Sequence, residues 1–199
     1  MRIFLLICLF IFSAEKTYSN EATNWLKTEI DFILNAYNNH ETSKKDRFAM
    51  IENTINYNFA GAGIAKFVAG NAWAKADKKT KKDYIALFKN HLALNIASMM
   101  QGYSNQKYEL VNNKYDSKNK VSLIDMEIYN DTGSLVVTWR VKQSKNRFYV
   151  IDLIVADISL VVTKRDEFNS LLKNVDYNLK EFNILLKNQN IESYNKIIN

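Results

Sequence analysis

Few side chains in this sequence have the spacing that metal binding or catalysis requires. The two histidines, His40 and His91, lie far apart and outside any HExxH pattern, and the lone cysteine, Cys8, sits in an apolar N-terminal run. Zinc sites in proteins are built from several histidines, cysteines or carboxylates at short spacings. The sequence therefore predicts no metal site.

Motifs for nucleotide binding and nucleophilic catalysis are also missing from the sequence. It has neither a GxxxxGK[ST] phosphate loop nor a GxSxG elbow, and the fragment GAG at 61–63 is interpreted as a helix start. Two carboxylates at the end of an apolar stretch, Asp152 and Asp157, are candidate bases, although carboxylates at strand ends more often cap a turn or pair with a cation. We therefore predict no cofactor and no enzymatic activity, with a small periplasmic enzyme using Asp152 or Asp157 as the alternative.

The first twenty residues predict an export signal. Arg2 precedes an apolar run over 3–12, and a polar stretch containing Thr17 and Ser19 follows it. The run is shorter than the roughly 20 apolar residues that a membrane-spanning helix needs, so a retained anchor is the weaker alternative. We expect a signal peptide over 1–19, a single mature domain over 20–199 that has no cysteine, and a periplasmic location.

The charge balance of the chain is basic. Its net charge of +6 becomes +5 once Arg2, Glu15 and Lys16 leave with the signal. An exported basic protein meets anionic lipid surfaces and acidic proteins rather than nucleic acid, so we predict no nucleic-acid partner. The run KADKKTKK at 75–82 predicts either a solvated helix start or a docking surface. Its lysines are Lys75, Lys78, Lys79, Lys81 and Lys82.

Apolar residues recur at helical spacing in the first half of the mature chain. One stripe runs over 25–37, and a second helix begins at Thr42 or Ser43. A long third helix follows, with Asp77 or Thr80 as its N-cap. The apolar fraction of the sequence, 47%, is large enough for a packed core around these helices.

After the long helix the apolar period changes from 3.6 to 2. Four strands are expected, with hairpin turns at 130–133 (NDTG) and 143–147. Two more helices follow, over 160–173 and 177–189. Helices before and after a meander indicate an α+β fold with a twisted, antiparallel, four-stranded sheet.

The fourth strand, FYVIDLIV at 148–155, is apolar on both faces apart from Asp152. Both faces must therefore be covered, either by ordinary core packing or by a bound apolar ligand between layers. Strict alternation assigns its apolar residues to two faces: Tyr149, Ile151, Leu153 and Val155 on one, and Phe148, Val150 and Ile154 on the other.

Two segments of the chain resemble the MlaC family. FVAGNAW at 67–73 is similar to the Gly-x-x-Trp step that precedes a long helix in that family. The second segment is similar to the family's strand-to-helix signature, and the resemblance extends over about 57–186. The residues of this second segment are Asp152, Ser159, Leu160, Arg165 and Phe168.

The resemblance implies a monomeric periplasmic phospholipid carrier of the toluene-tolerance type, with an apolar pocket for acyl tails between sheet and helices. The implied partners are an outer-membrane lipoprotein complex and an inner-membrane ABC transporter with an MCE-domain subunit. Phospholipid would be the cargo of such a protein and not its cofactor. A carrier of hopanoids or other polycyclic lipids is the alternative.

The lining of this pocket is predicted from the long helix, the segment before it and the strands. Flexible methionines there would accommodate tails of different length. If these surfaces border a pocket, a tryptophan at Val137 or Ala97 would displace lipid without straining a core. The predicted lipid-binding residues are Phe67, Trp73, Phe88, Leu92, Ile96, Met99, Met100, Met126, Leu135, Val137, Trp139, Val141, Val150 and Ile154.

Overall fold

A computed structural model describes the backbone of residues 2–103, 106–130 and 133–199, and the side chains from residue 20 onwards within these ranges, except that of residue 130. Along the chain, helices precede and follow an antiparallel meander, which confirms the α+β prediction. The helices are α1 (Arg2–Asn38), α2 (Lys44–Asn58), α3 (Gly61–Ala69), α4 (Asn71–Lys75), α5 (Lys78–Met100), α6 (Leu160–Lys173) and α7 (Leu179–Ile198). The strands are β1 (Lys107–Asp116), β2 (Val121–Asn130), β3 (Gly133–Ser144), β4 (Arg147–Val155) and β5 (Ile158–Ser159).

Side-chain caps fix where two of the predicted helices begin. Ser43 precedes α2, and its hydroxyl oxygen accepts a hydrogen bond from the backbone N–H of Asp46 at 3.1 Å. Asp77 precedes α5, and its carboxylate accepts from the backbone N–H of Thr80 at 2.9 Å. Each cap satisfies a backbone donor that has no partner within the first turn. Of the alternatives for these starts, Ser43 and Asp77 are confirmed.

The strands form one five-stranded sheet in the order β1-β2-β3-β4-β5. The sequence predicted four strands and did not predict the two-residue β5. The predicted turn between β3 and β4 is confirmed: Lys145 and Asn146 have φ of 48° and 61°, and left-handed residues give a two-residue hairpin the twist of the sheet. The other predicted turn, NDTG, includes residues 131 and 132, which lie outside the described residues.

A β-bulge interrupts the pairing of β3 with β4. Arg140 pairs with Asp152, whereas the next residue of β3, Val141, pairs with Val150. Ile151 is therefore the extra residue of β4, opposite no residue of its own. A bulge of this kind reverses the facing of every residue beyond it.

The bulge makes the strict alternation predicted for β4 wrong. Beyond it, Leu153 pairs with Trp139, and Ile154 pairs with Thr138. Because directly opposed residues share a face of the sheet, Leu153 lies on the face of Trp139. Ile154 lies instead on the polar face with Thr138.

The chain folds into two compact units. Unit 1 comprises Met1–Asp31 and Gln106–Asp157, and unit 2 comprises Phe32–Asn105 and Ile158–Asn199. No helix among the described residues is both long and apolar enough to span a bilayer. The single mature domain and the signal peptide over 1–19, whose side chains lie outside the described part of the chain, stay predictions.

The core of unit 2 contains two apolar clusters. The first is aromatic, with the rings of Tyr84, Phe88, Phe168 and Phe182 buried against one another at centroid distances between 5.0 and 6.3 Å. Such offset and edge-to-face contacts add stability beyond the area that they bury. The second cluster consists of Phe48, Ile51, Ile55, Ala93, Leu94, Ala97 and Ile197.

Two buried asparagines of α7 set its register against α5. Asn183 donates from Nδ2 to the carbonyl of Thr80 at 3.1 Å, and Asn190 donates to the carbonyl of Leu87 at 2.9 Å. Asn183 and Asn190 are seven residues apart on α7, and Thr80 and Leu87 are seven residues apart on α5. The two hydrogen bonds therefore form together in one register of the helices. The packing of Ile197 in the second cluster explains why α7 continues past residue 189, where the prediction ended it.

Candidate functional site

One face of the sheet in unit 1 is almost entirely apolar. Strand pairing assigns the residues of this face, because each pair of opposed residues points to the same side. We call it the apolar sheet face. Its apolar members on β2, β3 and β4 are Ile124, Met126, Ile128, Leu135, Val137, Trp139, Val141, Phe148, Val150, Leu153 and Val155.

Helix α1 covers one end of the apolar sheet face. Leu26 is buried against Ile124 and Val141, with Trp139 packed beside them. Trp25 meets Phe148 with ring centroids 5.7 Å apart. Sequence periodicity identified the stripe on α1 but carried no signal for the surface against which it packs.

Polar bonds hold α1 to β1 next to this apolar contact. The hydroxyl of Tyr108 donates to Asp31 at 2.5 Å, and the side-chain amide of Asn113 donates to the hydroxyl of Thr23 at 3.1 Å. Hydrogen bonds from Lys27 and Tyr108 lower the pKa of Asp31. The helix is therefore fixed to the sheet by one charge-assisted hydrogen bond and one neutral hydrogen bond as well as by apolar packing.

The other end of the apolar sheet face lies beyond the α1 contact. Met126, Val137 and Leu135 are there, and the side chain of Leu135 is 44% exposed. The bulge adds Leu153 and Val155 to the face. The sequence analysis did not predict them there, because an apolar strand gives no sign that Ile151 is an extra, unpaired residue. The structure thus brings six predicted residues onto one face and excludes Ile154.

Trp139 presents a polar atom on this apolar face. Its indole Nε1 is buried and has no hydrogen-bond partner in the part of the chain that the structure describes. Buried N–H groups are nearly always bonded to protein, water or ligand. The indole could donate to an oxygen of a ligand whose remaining atoms contact the surrounding aliphatic side chains.

The opposite face of the sheet is polar and accounts for Asp152. Its carboxylate accepts from the guanidinium of Arg140 at 3.4 Å and from the backbone N–H of Leu153 at 2.9 Å. The second candidate base, Asp157, is exposed in the turn after β4, with a φ of 62°. These positions are those of an ion-pair partner and a turn residue.

In unit 2 the predicted residues of the long helix are divided between the two apolar clusters. Phe88 is fully buried in the aromatic cluster, and Trp73 packs against that cluster. Leu92 contacts both clusters, whereas Ile96 and Met100 contact the second.

Ala97 is buried in the second cluster, so a tryptophan there would overpack a core. This corrects the expectation that the position borders open space. Val137 is also buried, but it belongs to the apolar sheet face.

Two of the predicted residues lie at the surface of unit 2. Met99 is 70% exposed. Phe67 is exposed too, and the guanidinium of Arg165 lies 4.5 Å from its ring centroid, within cation–π distance. Whether these side chains contact lipid stays a prediction.

The five predicted docking lysines are not equivalent. Lys79 forms an ion pair with Asp83 at 2.7 Å, and hydrogen bonding to Asp83 raises the pKa of Lys79. The ammonium of Lys81 lies 5.5 Å from the ring centroid of Trp73. The other three, Lys75, Lys78 and Lys82, are exposed, as Lys79 is, but form no ion pair within the described residues.

Comparison with known protein families assigns the chain to one of them. The model of a family described as MlaC protein matches residues 27–187. The chain belongs to the MlaC family. The match to this family begins within α1, before the segment that the sequence resemblance covered, and it includes Ile30 of α1 but not Trp25 and Leu26, which precede it. In this MlaC chain the glycine of the Gly-x-x-Trp step, Gly70, has a φ of 53° between α3 and α4, a conformation that favours glycine.

A solved structure shares the fold of this MlaC chain. It is the phospholipid-binding protein from Ralstonia solanacearum, determined in complex with a phospholipid. The TM-score is 0.73 at 15% sequence identity, and the match covers 85% of this chain and 96% of that one. No curated protein matches the sequence.

Proposed function

We propose that this chain binds phospholipid and carries it through the periplasm without catalysing a reaction. It would exchange lipid with an outer-membrane lipoprotein complex and with an inner-membrane ABC transporter that has an MCE-domain subunit. The observation that carries the proposal is the likeness in fold to a family relative that holds a phospholipid. Asp152 supports the absence of catalysis, since its carboxylate is engaged by Arg140.

The apolar sheet face is the part of unit 1 that we assign to the acyl tails. Leu135, Val137 and Met126 supply aliphatic and thioether surface beyond the α1 contact, and Trp139 supplies an N–H donor suited to an ester oxygen. A ligand with two apolar tails and a few polar atoms matches this combination. The predicted residues of unit 2 remain candidates for the same role.

The energetics of lipid transfer favour a passive carrier. Each methylene that leaves water gains about 0.8 kcal/mol, so two tails of ~15 methylenes gain on the order of 24 kcal/mol. Free lipid therefore does not diffuse through water, but bilayer and protein shelter the tails almost equally. Because the sequence has no phosphate loop, the energy for net transport would come from a partner.

Native mass spectrometry of protein purified from the producing cells tests the proposal. We expect the wild type to carry the mass of a two-chain phospholipid. Leu135→Trp should reduce the lipid-bound fraction at least about threefold, because the added ring takes up tail space at a half-exposed position where overpacking is small. Val136→Trp is the matched control, since Val136 is 46% exposed, close to the 44% of Leu135, and lies on the opposite face.

The possible outcomes separate the alternatives. Equal lipid loss in both variants would contradict the assignment of the apolar sheet face while leaving lipid binding in place. A polycyclic lipid on the wild type would favour the hopanoid carrier. A wild type with no bound lipid would contradict the carrier proposal and would favour the alternative of an enzyme that uses Asp152 or Asp157.

A further inference from the structure

A groove runs along unit 2 between α2 and α7, with α5 as its floor. The two outer helices pack along α5 but touch each other little. The groove has a volume of about 450 Å³ and is open to solvent. Phe48 and Tyr194 belong to opposite walls, and the walls meet at this pair because the two rings are in edge-to-face contact with centroids 5.1 Å apart.

Each wall of the groove is two helical turns long. Its lining residues on α2 are at positions 45, 48, 49 and 52, and those on α7 are at 187, 190, 191 and 194. This i, i+3, i+4, i+7 spacing gives a length of about 10 Å. Leu87 lies on the floor, Ile191 exposes half of its side chain, and Ala49 leaves room for close approach.

The charges of the groove are unbalanced. Lys45 and Lys187 lie on opposite walls, both exposed, and neither has an ion-pair partner within the described residues. The carboxylate of the groove, Glu52, accepts a hydrogen bond from the side-chain amide of Asn90 at 2.9 Å. Each wall thus presents a cation beside apolar surface, and the groove as a whole is basic: Lys45, Lys187 and Glu52 sum to +1, because the hydrogen bond from the neutral amide of Asn90 leaves Glu52 its negative charge.

We propose that this groove binds a short amphipathic helix of a partner protein, apolar along the side that meets Leu87 and Ile191 and acidic where it passes Lys45 and Lys187. In helix-in-groove recognition an amphipathic helix lays its apolar face into a groove, and opposite charges at the groove edges set its orientation and the rate of encounter. An acyl chain fits less well, because an open groove would leave it in contact with water. The groove residues are not among those assigned to lipid, so the proposal does not rest on lipid binding.

A charge-swap experiment on the full chain tests this proposal. The probe is a fluorescein-labelled helical peptide of about 12 residues, roughly 18 Å long, with leucine at every third or fourth position and glutamate beside each leucine. We expect binding by fluorescence anisotropy with a Kd on the order of 10 μM. Lys45→Glu combined with Lys187→Glu should weaken binding at least about tenfold and should instead bind a second peptide in which lysine replaces each glutamate.

Two controls separate the groove from general electrostatics. Lys66→Glu with Lys173→Glu makes the same change of charge at exposed positions of α3 and α6 outside the groove, and it should bind the acidic peptide like the wild type. Ala49→Trp fills the groove from an exposed position and should abolish binding of the acidic peptide. Circular dichroism checks that every variant is folded.

Several results would overturn the proposal: no binding of the acidic peptide, equal weakening by both lysine pairs, or full binding to Ala49→Trp. If the charge swap weakened only binding to vesicles of phosphatidylglycerol and phosphatidylcholine, with no peptide bound by the wild type, the groove would be a membrane contact and the proposal would also be overturned. Phospholipid uptake by Lys45→Glu with Lys187→Glu is expected to be unchanged. Failure of the docking proposal and failure of the carrier proposal are therefore distinguishable.

Discussion

His91 of α5 is a titratable side chain buried inside unit 2, only 5% exposed. Asn190 uses its amide nitrogen to donate to Leu87, so its oxygen accepts from Nδ1 of His91 at 3.2 Å. The neutral ring therefore carries its proton on Nδ1, and its buried Nε2 has no partner among the described residues. Burial, and then the charge of Lys164, lower the pKa of His91 to about 4, although Asn190 and Glu167 oppose the shift.

We expect His91 to make the folded chain less stable in mild acid. Its pKa in the unfolded chain is about 6.5, so between that pH and about 4 the unfolded state binds more protons than the folded state. The contribution of neutral His91 to the free energy of unfolding is complete above about pH 6.5. It is lost as the pH falls towards about 4, which lowers the free energy of unfolding by up to about 3 kcal/mol. Urea unfolding at a series of pH values measures this loss.

The control for this prediction is His91→Gln, which cannot titrate but can donate to Asn190. Its free energy of unfolding should fall less steeply below about pH 6.5 than that of the wild type. The difference between the two profiles removes the contribution of carboxylates, which titrate in both proteins. Parallel profiles would contradict the lowered pKa.

At the scale of elements, local signals could be predicted and non-local ones could not. The starts of α2 and α5 follow from Ser43 and Asp77, whose caps act within three residues. The bulge at Ile151 depends on pairing with β3, and a strand that is apolar on both faces fits either register. Ile154 was misassigned for this reason, whereas Trp139 lies on a strand whose alternation is unbroken.

The turn after β4 contains a strained residue that a substitution can relieve. Ala156 has a φ of 48°, where its Cβ crowds the following carbonyl at a cost of roughly 1 kcal/mol. We expect Ala156→Gly to raise the free energy of unfolding by about 0.5 kcal/mol, since the greater freedom of glycine in the unfolded chain offsets part of the gain. Urea denaturation at neutral pH measures the difference.

Ala86→Gly is the matched control for this turn. Ala86 is exposed within α5, where glycine should lower the free energy of unfolding by about 1 kcal/mol. An increase in the free energy of unfolding for Ala156→Gly together with a decrease for Ala86→Gly would identify strain at Ala156. A similar decrease at both would contradict it.

At the scale of the whole molecule, the net charge of +6 is the property that acts at longest range. Distributed lysines steer a protein towards anionic membranes and acidic partners, and salt screens the effect. In the 75–82 run, Lys79 is bound to Asp83 and Lys81 lies near the ring of Trp73. Lys75, Lys78 and Lys82 are therefore the lysines of the run from which a docking contribution is expected.

Changing these three lysines to glutamine should slow phospholipid exchange with vesicles that contain phosphatidylglycerol. Each lysine near an anionic surface contributes about 1 kcal/mol, so the triple variant should transfer lipid at least about fivefold more slowly at low salt. The deficit should shrink as salt is added, and the thermal midpoint should stay near that of the wild type.

The matched control changes three exposed lysines of unit 1 to glutamine, Lys114, Lys118 and Lys142, which removes the same charge from another surface. An equal deficit in the control would mean that total charge steers the encounter, whereas unaltered rates in both variants would make the 75–82 run an ordinary solvated helix start.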